Sequence, residues 1–191
     1  MQFYTNHHNK LDFQISANDL FITNATNLKF LGLQLDNKLT WKAYSSELVI
    51  KLNKACYAIR AIKPLVSHKV LISIYYSYFN SLLKYGVMFW GSSAICGDIF
   101  KVQKREIRII TNKRRREYCR ILFKQLKILT LFSQYIVSVL VFMTRKMNLF
   151  TFNREIHSTN TRNSLDLHLQ STNLSDVQKV YYTQDVKYSN V

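Results

Sequence analysis

The chain has few of the residues that interrupt regular secondary structure. Its 191 residues include four glycines and one proline, well below average usage. Because these two residues mark tight turns and bends, their scarcity argues against a turn-rich β-sandwich and favours long helices. Hydrophobic residues make up 48% of the chain, which is enough for a buried core at this length. We therefore expect an α+β fold that is mainly α.

The spacings that indicate bound metals, disulfides or membrane spans are also missing. Cys56, Cys96 and Cys119 form no C-x-x-C motif, so neither a zinc site nor a disulfide framework is predicted. The five histidines have no ligand partner at a recognisable spacing, and residues 1–10 lack the pattern of a signal peptide. The densest apolar stretch, 135–143, is shorter than the roughly 20 residues that span a bilayer. We expect a chain without membrane or cofactor, in a reducing intracellular compartment.

The sequence also lacks a group of acidic residues spaced to converge on one site. Catalysis by two metal ions requires acidic side chains that reach both ions. The 11 acidic residues are scattered, with no adjacent aspartates, no D-x-D and no E-x-x-E. The few glycines also provide no phosphate-binding loop of the Walker or Rossmann type. We predict no catalytic residue and no metal ligand in this chain.

The spacing of hydrophobic residues has two different periods along the chain, and these divide it into a strand region and a helical region. Alternation with period two predicts strands that carry Leu11, Phe13 and Ile15 and then Leu31, Leu33 and Leu35. A short strand at Phe21 and Ile22 lies between them, and turn-prone residues occupy 18–19 and 24–27. These elements predict a small antiparallel β-meander over residues 1–38, which is too small to be stable alone and is expected to pack on helices or on a missing partner.

From Thr40 onward the spacing changes to three and four residues, which predicts helices. One helix has an apolar face and is stopped by Pro64; its face is formed by Leu48, Leu52, Ala55, Ile59 and Ile62. Ser67 is suited to cap a second helix and Gly86 to end it. Basic helices are predicted near 98–112 and 116–126, and an apolar one near 131–147. We expect a helical bundle over 39–150 and a polar, loosely ordered tail over 151–191.

Positive charge is the strongest compositional signal. The chain carries 27 Lys and Arg against 11 Asp and Glu, a net charge of +16, which predicts attraction to nucleic acid ahead of an anionic membrane. Eleven basic residues and two acidic ones lie between residues 101 and 127. Four of the bases share one helical face, and four consecutive bases occupy a turn. They are Lys101, Lys104, Arg105 and Arg108, then Lys113, Arg114, Arg115 and Arg116.

A basic stripe of this kind neutralises phosphates without reading bases. The alternatives are a solvated helix face and a basic cluster used for nuclear import. Four tyrosines either stack on unpaired bases or pack in the core, and core packing is favoured. They are Tyr75, Tyr76, Tyr78 and Tyr85.

A series of short motifs, spread from about residue 11 to 162, resembles the reverse transcriptase of jockey-type non-LTR retrotransposons. The motifs are Phe30-Leu31-Gly32, Leu39-Thr40-Trp41-Lys42, Tyr85-Gly86, Phe89-Trp90-Gly91, Gln103-Lys104-Arg105, Cys119-Arg120 and Asn160-Thr161-Arg162. The similarity implies a primer-grip hairpin followed by the thumb and connection. It also implies that Phe30, Leu31 and Gly32 lie near the primer end. The fingers and the palm, with its catalytic aspartates and magnesium, are expected outside this sequence.

The resemblance therefore implies a fragment of an RNA-directed DNA polymerase that binds an RNA or DNA template–primer but does not catalyse polymerisation alone. One alternative is a stand-alone basic helical module that binds RNA or DNA without enzymatic activity. Another is an intracellular interaction protein with incidental charge. The sequence leaves the oligomeric state open.

Overall fold

The computed structural model describes residues 1, 3, 15–17, 20–22, 25–157 and 162–168. For 15–17 and 20–22 the description covers the backbone. Several predicted features lie outside the described residues: the strand positions Leu11 and Phe13, the histidines His7 and His8, the motif residues Asn160 and Thr161, and the tail from 169 onward.

The predicted fold class is confirmed, since the chain is mainly helical and begins with antiparallel strands. The strands are β1 (Ile15–Ala17), β2 (Leu20–Ile22), β3 (Asn27–Phe30) and β4 (Leu33–Asp36). They pair as two hairpins, β1 with β2 and β3 with β4. In the second hairpin Asn27 lies opposite Asp36 and Phe30 opposite Leu33.

The second hairpin differs in detail from the predicted strand. Leu31 and Gly32 form its two-residue turn, with φ angles of 46° and 78°, because the right-handed twist of paired strands favours turns with positive φ. The prediction that Leu31 and Gly32 belong to a strand is therefore wrong, and β3 is a strand that the alternation did not reveal. Only Leu33 of this hairpin is buried in the core.

The first predicted helix is confirmed as α1 (Lys42–Ile62). Its apolar face is buried at Leu48, Leu52, Ala55 and Ile59. Pro64 lies directly after it in a 3₁₀ turn, Lys63–Leu65, as expected for a residue that cannot donate a backbone hydrogen bond. This helix forms one wall of the core.

The second helix is also confirmed, with an irregular middle. It starts as α2 (His68–Ile74), passes through a π-helical turn (Tyr75–Asn80) and ends as α3 (Ser81–Lys84). The Ser67 hydroxyl accepts a hydrogen bond from the backbone of Val70 at 3.5 Å, the predicted cap. The wide turn brings Tyr75 and Phe79 to the core face, where their rings stack at 5.4 Å.

A short helix, α4 (Val87–Trp90), follows Gly86. Gly86 has a φ of 61°, and a Cβ atom there would lie 2.8 Å from Leu33 Cδ2. The absence of a side chain therefore lets β4 pack closely against this corner. The Trp90 indole donates a hydrogen bond to the Tyr85 carbonyl at 3.0 Å, which fixes the same corner.

The remaining helices are α5 (Cys96–Ile110), α6 (Cys119–Leu126), α7 (Leu131–Arg145) and α8 (Asn153–Ile156), with a 3₁₀ turn at Met147–Leu149. The structure thus contains the basic helices and the apolar helix that the sequence predicted, each with slightly different ends. The four consecutive bases at 113–116 lie between α5 and α6, as predicted.

A buried glutamine joins several of these elements. Gln103 is fully buried in α5, where its amide nitrogen donates to the Tyr75 hydroxyl at 3.2 Å and to the Leu129 carbonyl at 3.0 Å. Its amide oxygen accepts from the backbone nitrogen of Leu131 at 2.9 Å. These bonds satisfy the buried amide and fix α5 against the π-helical turn and the start of α7.

The chain divides into two compact units, Met1–Ile136 and Val137–Val191. In the second unit Phe142 contacts Phe150 edge to face, and an isolated bridge joins Phe152 to Leu167. The predicted division at residues 38 and 150 stays a prediction. In the part of the chain that the structure describes, no single helix has the length and hydropathy of a membrane span; α6 and α7 meet that test only as a pair bent by 50°.

Candidate nucleic-acid interface

A positively charged groove lies in the first unit, between the end of α1, the middle of α5 and the loop at 111–118. Its volume is about 680 Å³. Val102 and Ile109 supply the apolar part of the lining, and the remaining lining residues are all cationic. We call it the basic groove; its cations are Arg60, Lys101, Arg105, Arg108, Lys113 and Arg115.

The loop at 111–118 is held by hydrogen bonds to backbone carbonyls and by one salt bridge. The Arg108 guanidinium donates two hydrogen bonds to the Glu117 carbonyl, at 3.0 and 2.9 Å. Lys113 forms a salt bridge with the Glu117 carboxylate at 3.4 Å, and its backbone nitrogen donates to the Arg108 carbonyl at 3.0 Å. Arg108 therefore has two roles: it holds the loop that carries Lys113 and Arg115, and it adds its own charge to the groove.

Three side-chain hydrogen bonds join α1 and the turn after it to α5 and the loop that follows, beside the groove. Arg105 donates a hydrogen bond to the side-chain oxygen of Asn53. The Lys63 ammonium donates to the Ile109 carbonyl and to the Asn112 side chain, both at 2.5 Å. Burial lowers the pKa of Lys63, although the nearby Glu106 carboxyl opposes that effect. The spacing of cations contributed by the two helices is therefore fixed by the packing.

A buried carboxyl lies on the α1 side of α5, close to the groove cations. Glu106 is fully buried, and in the described part of the chain its carboxyl oxygens accept no hydrogen bond from nitrogen or oxygen; the Cys56 thiol is a weak donor beside them. Burial raises its pKa to about 7, although the Cys56 thiol and the charges of Arg60, Arg105 and Lys63 lower it. Burial, together with the charge of Glu106, raises the pKa of Cys56. The groove thus has an internal counter-charge that changes near neutral pH.

The structure brings together only some of the predicted basic residues. Five of the eight line the groove: Lys101, Arg105, Arg108, Lys113 and Arg115. Lys104 instead extends over the Phe100 ring, with its ammonium 4.5 Å from the ring centre. Arg114 and Arg116 are exposed and do not belong to the lining. Arg60 joins the groove from α1, which sequence spacing within α5 could not reveal.

The other predicted contact region is the turn of the second hairpin, formed by Phe30, Leu31 and Gly32, which we call the hairpin tip. Phe30 and Leu31 are 55% and 73% exposed. The Tyr85 hydroxyl donates a hydrogen bond to the Leu31 carbonyl, and the Tyr85 ring lies beside Gly32. Tyr85 therefore holds the backbone of the tip, while the apolar side chains of Phe30 and Leu31 are exposed to solvent.

The tip and the groove lie at opposite ends of α1. The Tyr44 hydroxyl, in the first turn of α1, donates to the carbonyl of Tyr85, the residue that holds the tip. Arg60 follows Tyr44 by sixteen residues, which is about 24 Å of helix. The structure therefore does not bring the two predicted contact regions into one site.

The segment that connects the hairpin to α1 depends on one carboxylate. Asp36 accepts hydrogen bonds from the backbones of Lys38, Thr40 and Trp41 at 2.9 to 3.1 Å, and from the Thr40 hydroxyl at 3.1 Å. Burial raises the pKa of Asp36, but these hydrogen bonds outweigh it, and the pKa lies below its usual value. Asp36 thereby holds Trp41 at a φ of 62°.

Three of the four tyrosines considered as base contacts have structural roles. Tyr75 is buried, Tyr76 donates to the Lys127 carbonyl at 3.2 Å, and Tyr85 holds the hairpin tip. Tyr78 is partly exposed. In the ranges that the structure describes, no group of three His, Cys, Asp or Glu residues is arranged to hold a metal ion.

A scan of protein-family models, a search of the curated proteins and a search of the solved structures each found no match to this chain. The similarity to jockey-type elements therefore depends on the short sequence motifs. The groove, by contrast, is a feature of the folded chain that does not depend on that similarity.

Proposed function

We propose that this chain binds nucleic acid through the basic groove and contacts phosphates without reading bases. The observation that carries the proposal is the convergence of six cationic side chains from α1, α5 and the 111–118 loop on one groove. Cations on a fixed scaffold attract a polyanion more effectively than the same charges dispersed over a surface. Guanidinium groups, which supply four of the six charges, bind phosphate with two parallel hydrogen bonds.

We further propose that the chain is the thumb and connection portion of a jockey-type reverse transcriptase. The support is the series of short motifs, together with a helical region that follows a small hairpin. On this proposal the chain helps to hold an RNA or DNA template–primer, while the catalytic aspartates and the magnesium belong to the fingers and palm of the complete polymerase. The purified chain should then show no primer extension with magnesium, and any extension would contradict this proposal.

The groove is tested by fluorescence anisotropy with a labelled RNA–DNA hybrid across a salt series. One variant replaces Arg60, Arg105, Lys113 and Arg115 with Gln. Since each neutralised phosphate contributes about 0.9 to the salt slope, losing four contacts should reduce the slope by three to four, with a large loss of affinity. Circular dichroism would establish that the variant is folded.

The matched control removes the same number of charges outside the groove, with Lys69, Lys84, Arg114 and Arg116 replaced by Gln. These four side chains are exposed and do not line the groove. The control should keep most of its affinity and nearly all of its salt slope. Equal losses in the two variants would show that net charge, and not the groove, attracts the nucleic acid.

A further inference from the structure

One aromatic side chain on α1, the helix that contributes Arg60 to the basic groove, is largely exposed. Tyr57 is 76% exposed, more than any other tyrosine that the structure describes. Within the described residues its hydroxyl forms no hydrogen bond and its ring contacts no other aromatic ring. Tyr75 packs in the core, and Tyr76 and Tyr85 donate hydrogen bonds to backbone carbonyls. Neither role accounts for Tyr57.

Tyr57 shares a stripe of the α1 surface with Arg60, which lines the groove. Asn53, Tyr57 and Arg60 follow one another at spacings of four and three residues, so they form one stripe along the helix surface. Arg60 lines the groove, and Asn53 accepts the hydrogen bond from the groove residue Arg105. The ring of Tyr57 is therefore flanked on its own stripe by two residues connected to the groove.

An exposed ring beside a phosphate-binding groove is suited to one class of ligand. In a single strand each base is joined to its phosphate through one sugar, and its face is free to stack on an aromatic side chain. In a duplex the base is paired and stacked inside the helix, so a ring outside has no base face to contact. Phosphates alone would bind the groove equally in both cases.

We propose that the basic groove and Tyr57 together form a site for single-stranded nucleic acid. The groove cations hold two or more successive phosphates, and Tyr57 stacks against an unpaired base between them. The inference rests on the proposed nucleic-acid binding and goes beyond it, because it adds a base contact that a single strand can make and that a duplex, held through its phosphates alone, cannot make.

The test compares three labelled ligands of about twelve nucleotides: a single strand, an abasic strand of the same length and a duplex. Tyr57→Ala should weaken binding of the single strand about tenfold, and leave the duplex, the abasic strand and the salt slope unchanged. Tyr57→Phe should bind like the native chain, because it keeps the ring. Tyr78→Ala, which removes a partly exposed tyrosine from another helix, serves as the control and should have no effect.

A direct readout comes from Tyr57→Trp. The native tryptophans, Trp41 and Trp90, are 9% and 1% exposed, so the new indole would be the accessible one among the described positions. Its fluorescence should be quenched by the single strand and not by the abasic strand.

The outcomes separate this inference from the proposed function. Salt-dependent binding that Tyr57→Ala leaves unchanged, or weakens equally for all three ligands, would overturn the stacking site and leave the groove in place. Absence of salt-dependent binding by the native chain would overturn the proposed function and this inference together.

Discussion

The basic groove and the hairpin tip are both predicted to contact nucleic acid, but the groove presents cationic side chains and the tip presents apolar ones. The groove combines six cations on two packed helices and a fixed loop. The tip presents two apolar side chains on a two-residue turn. A contact made by the first should weaken steeply with salt, whereas a contact made by the second should be nearly independent of salt.

The two regions also differ in where unfavourable energy is stored. The groove lies against a buried carboxyl, Glu106, whose oxygens accept no hydrogen bond from nitrogen or oxygen in the described chain. At the tip, the backbone of Leu31 has a φ of 46°, a conformation that is costly for a residue with a Cβ atom. At the groove, the burial of the Glu106 charge reduces the stability of the fold. At the tip, the positive φ of Leu31 reduces it.

The largest expected effect tests the groove side of this comparison. Glu106→Gln should stabilise the chain at pH 8 by about 3 kcal/mol and have little effect near pH 4.5. The pKa of Glu106 is raised from 4.5 to about 7 on folding, so the folded chain holds the proton more tightly than the unfolded chain. The destabilisation by Glu106 is therefore absent below pH 4.5, increases as the pH rises and is complete above pH 7.

Urea unfolding of both proteins between pH 4.5 and pH 8 measures this effect. Glu47→Gln is the control, because Glu47 forms only an exposed salt bridge with Lys51. It should change stability by less than about 1 kcal/mol, with no increase between pH 5 and pH 8. A constant gain by Glu106→Gln at every pH would show that the burial of this carboxyl does not control its titration.

The sequence predicted the parts of the fold that depend on local patterns. Spacings of three and four residues identify α1, because its apolar side chains form one continuous face. Pro64 and Ser67 mark the boundary between two helices through backbone chemistry that no tertiary contact is needed to explain. The turn of four bases between α5 and α6 was equally evident.

The parts that the sequence did not predict depend on which elements pack together. Gln103 and Glu106 lie on the buried face of α5, but their polarity made them indistinguishable from solvent-facing residues. Arg60 lines the groove, whereas Arg114 and Arg116 do not, because α1 packs against α5. Leu31 carries no turn signal of the kind that Asn would give, so the hairpin could not be read from the residues at its turn.

The next effect tests the segment that connects the second hairpin to α1. Asp36→Ala should destabilise the chain by about 1 to 2 kcal/mol at pH 7, because it removes an ionised acceptor of four hydrogen bonds. Folding lowers the pKa of Asp36. Its stabilisation is therefore complete above the ordinary value of 3.8 and is lost as the pH falls through the folded value.

Thermal unfolding at pH 7 and at pH 2.5 would measure this difference, which should be smaller at the lower pH. Asp98→Ala is the control, since Asp98 forms an exposed salt bridge with Lys101 and lies in the first turn of α5, where an exposed carboxylate contributes about 1 kcal/mol or less. An equally small effect of both substitutions at pH 7 would show that the Asp36 hydrogen bonds do not hold the segment before α1.

A smaller effect compares the two regions in binding. Arg115→Gln should weaken binding severalfold and reduce the salt slope by about one. Phe30→Ala should weaken binding, if the tip touches the ligand, without any change of slope. Anisotropy titrations at several salt concentrations separate the two. A slope change with Phe30→Ala would show that the tip is electrostatically coupled to the ligand and that the comparison is wrong.

The smallest effect separates stability from binding at the tip. Leu31→Asn should stabilise the chain by about 0.5 kcal/mol, because Asn tolerates positive φ better than Leu and the side chain of Leu31 packs against little. If Leu31 contacts the primer end, as the resemblance to reverse transcriptases implies, the same substitution should also weaken binding of a recessed template–primer. A more stable protein with weaker binding would mean that the strained leucine is retained for contact with nucleic acid. A more stable protein with unchanged binding would leave the groove as the contact region and remove the tip from the proposed interface.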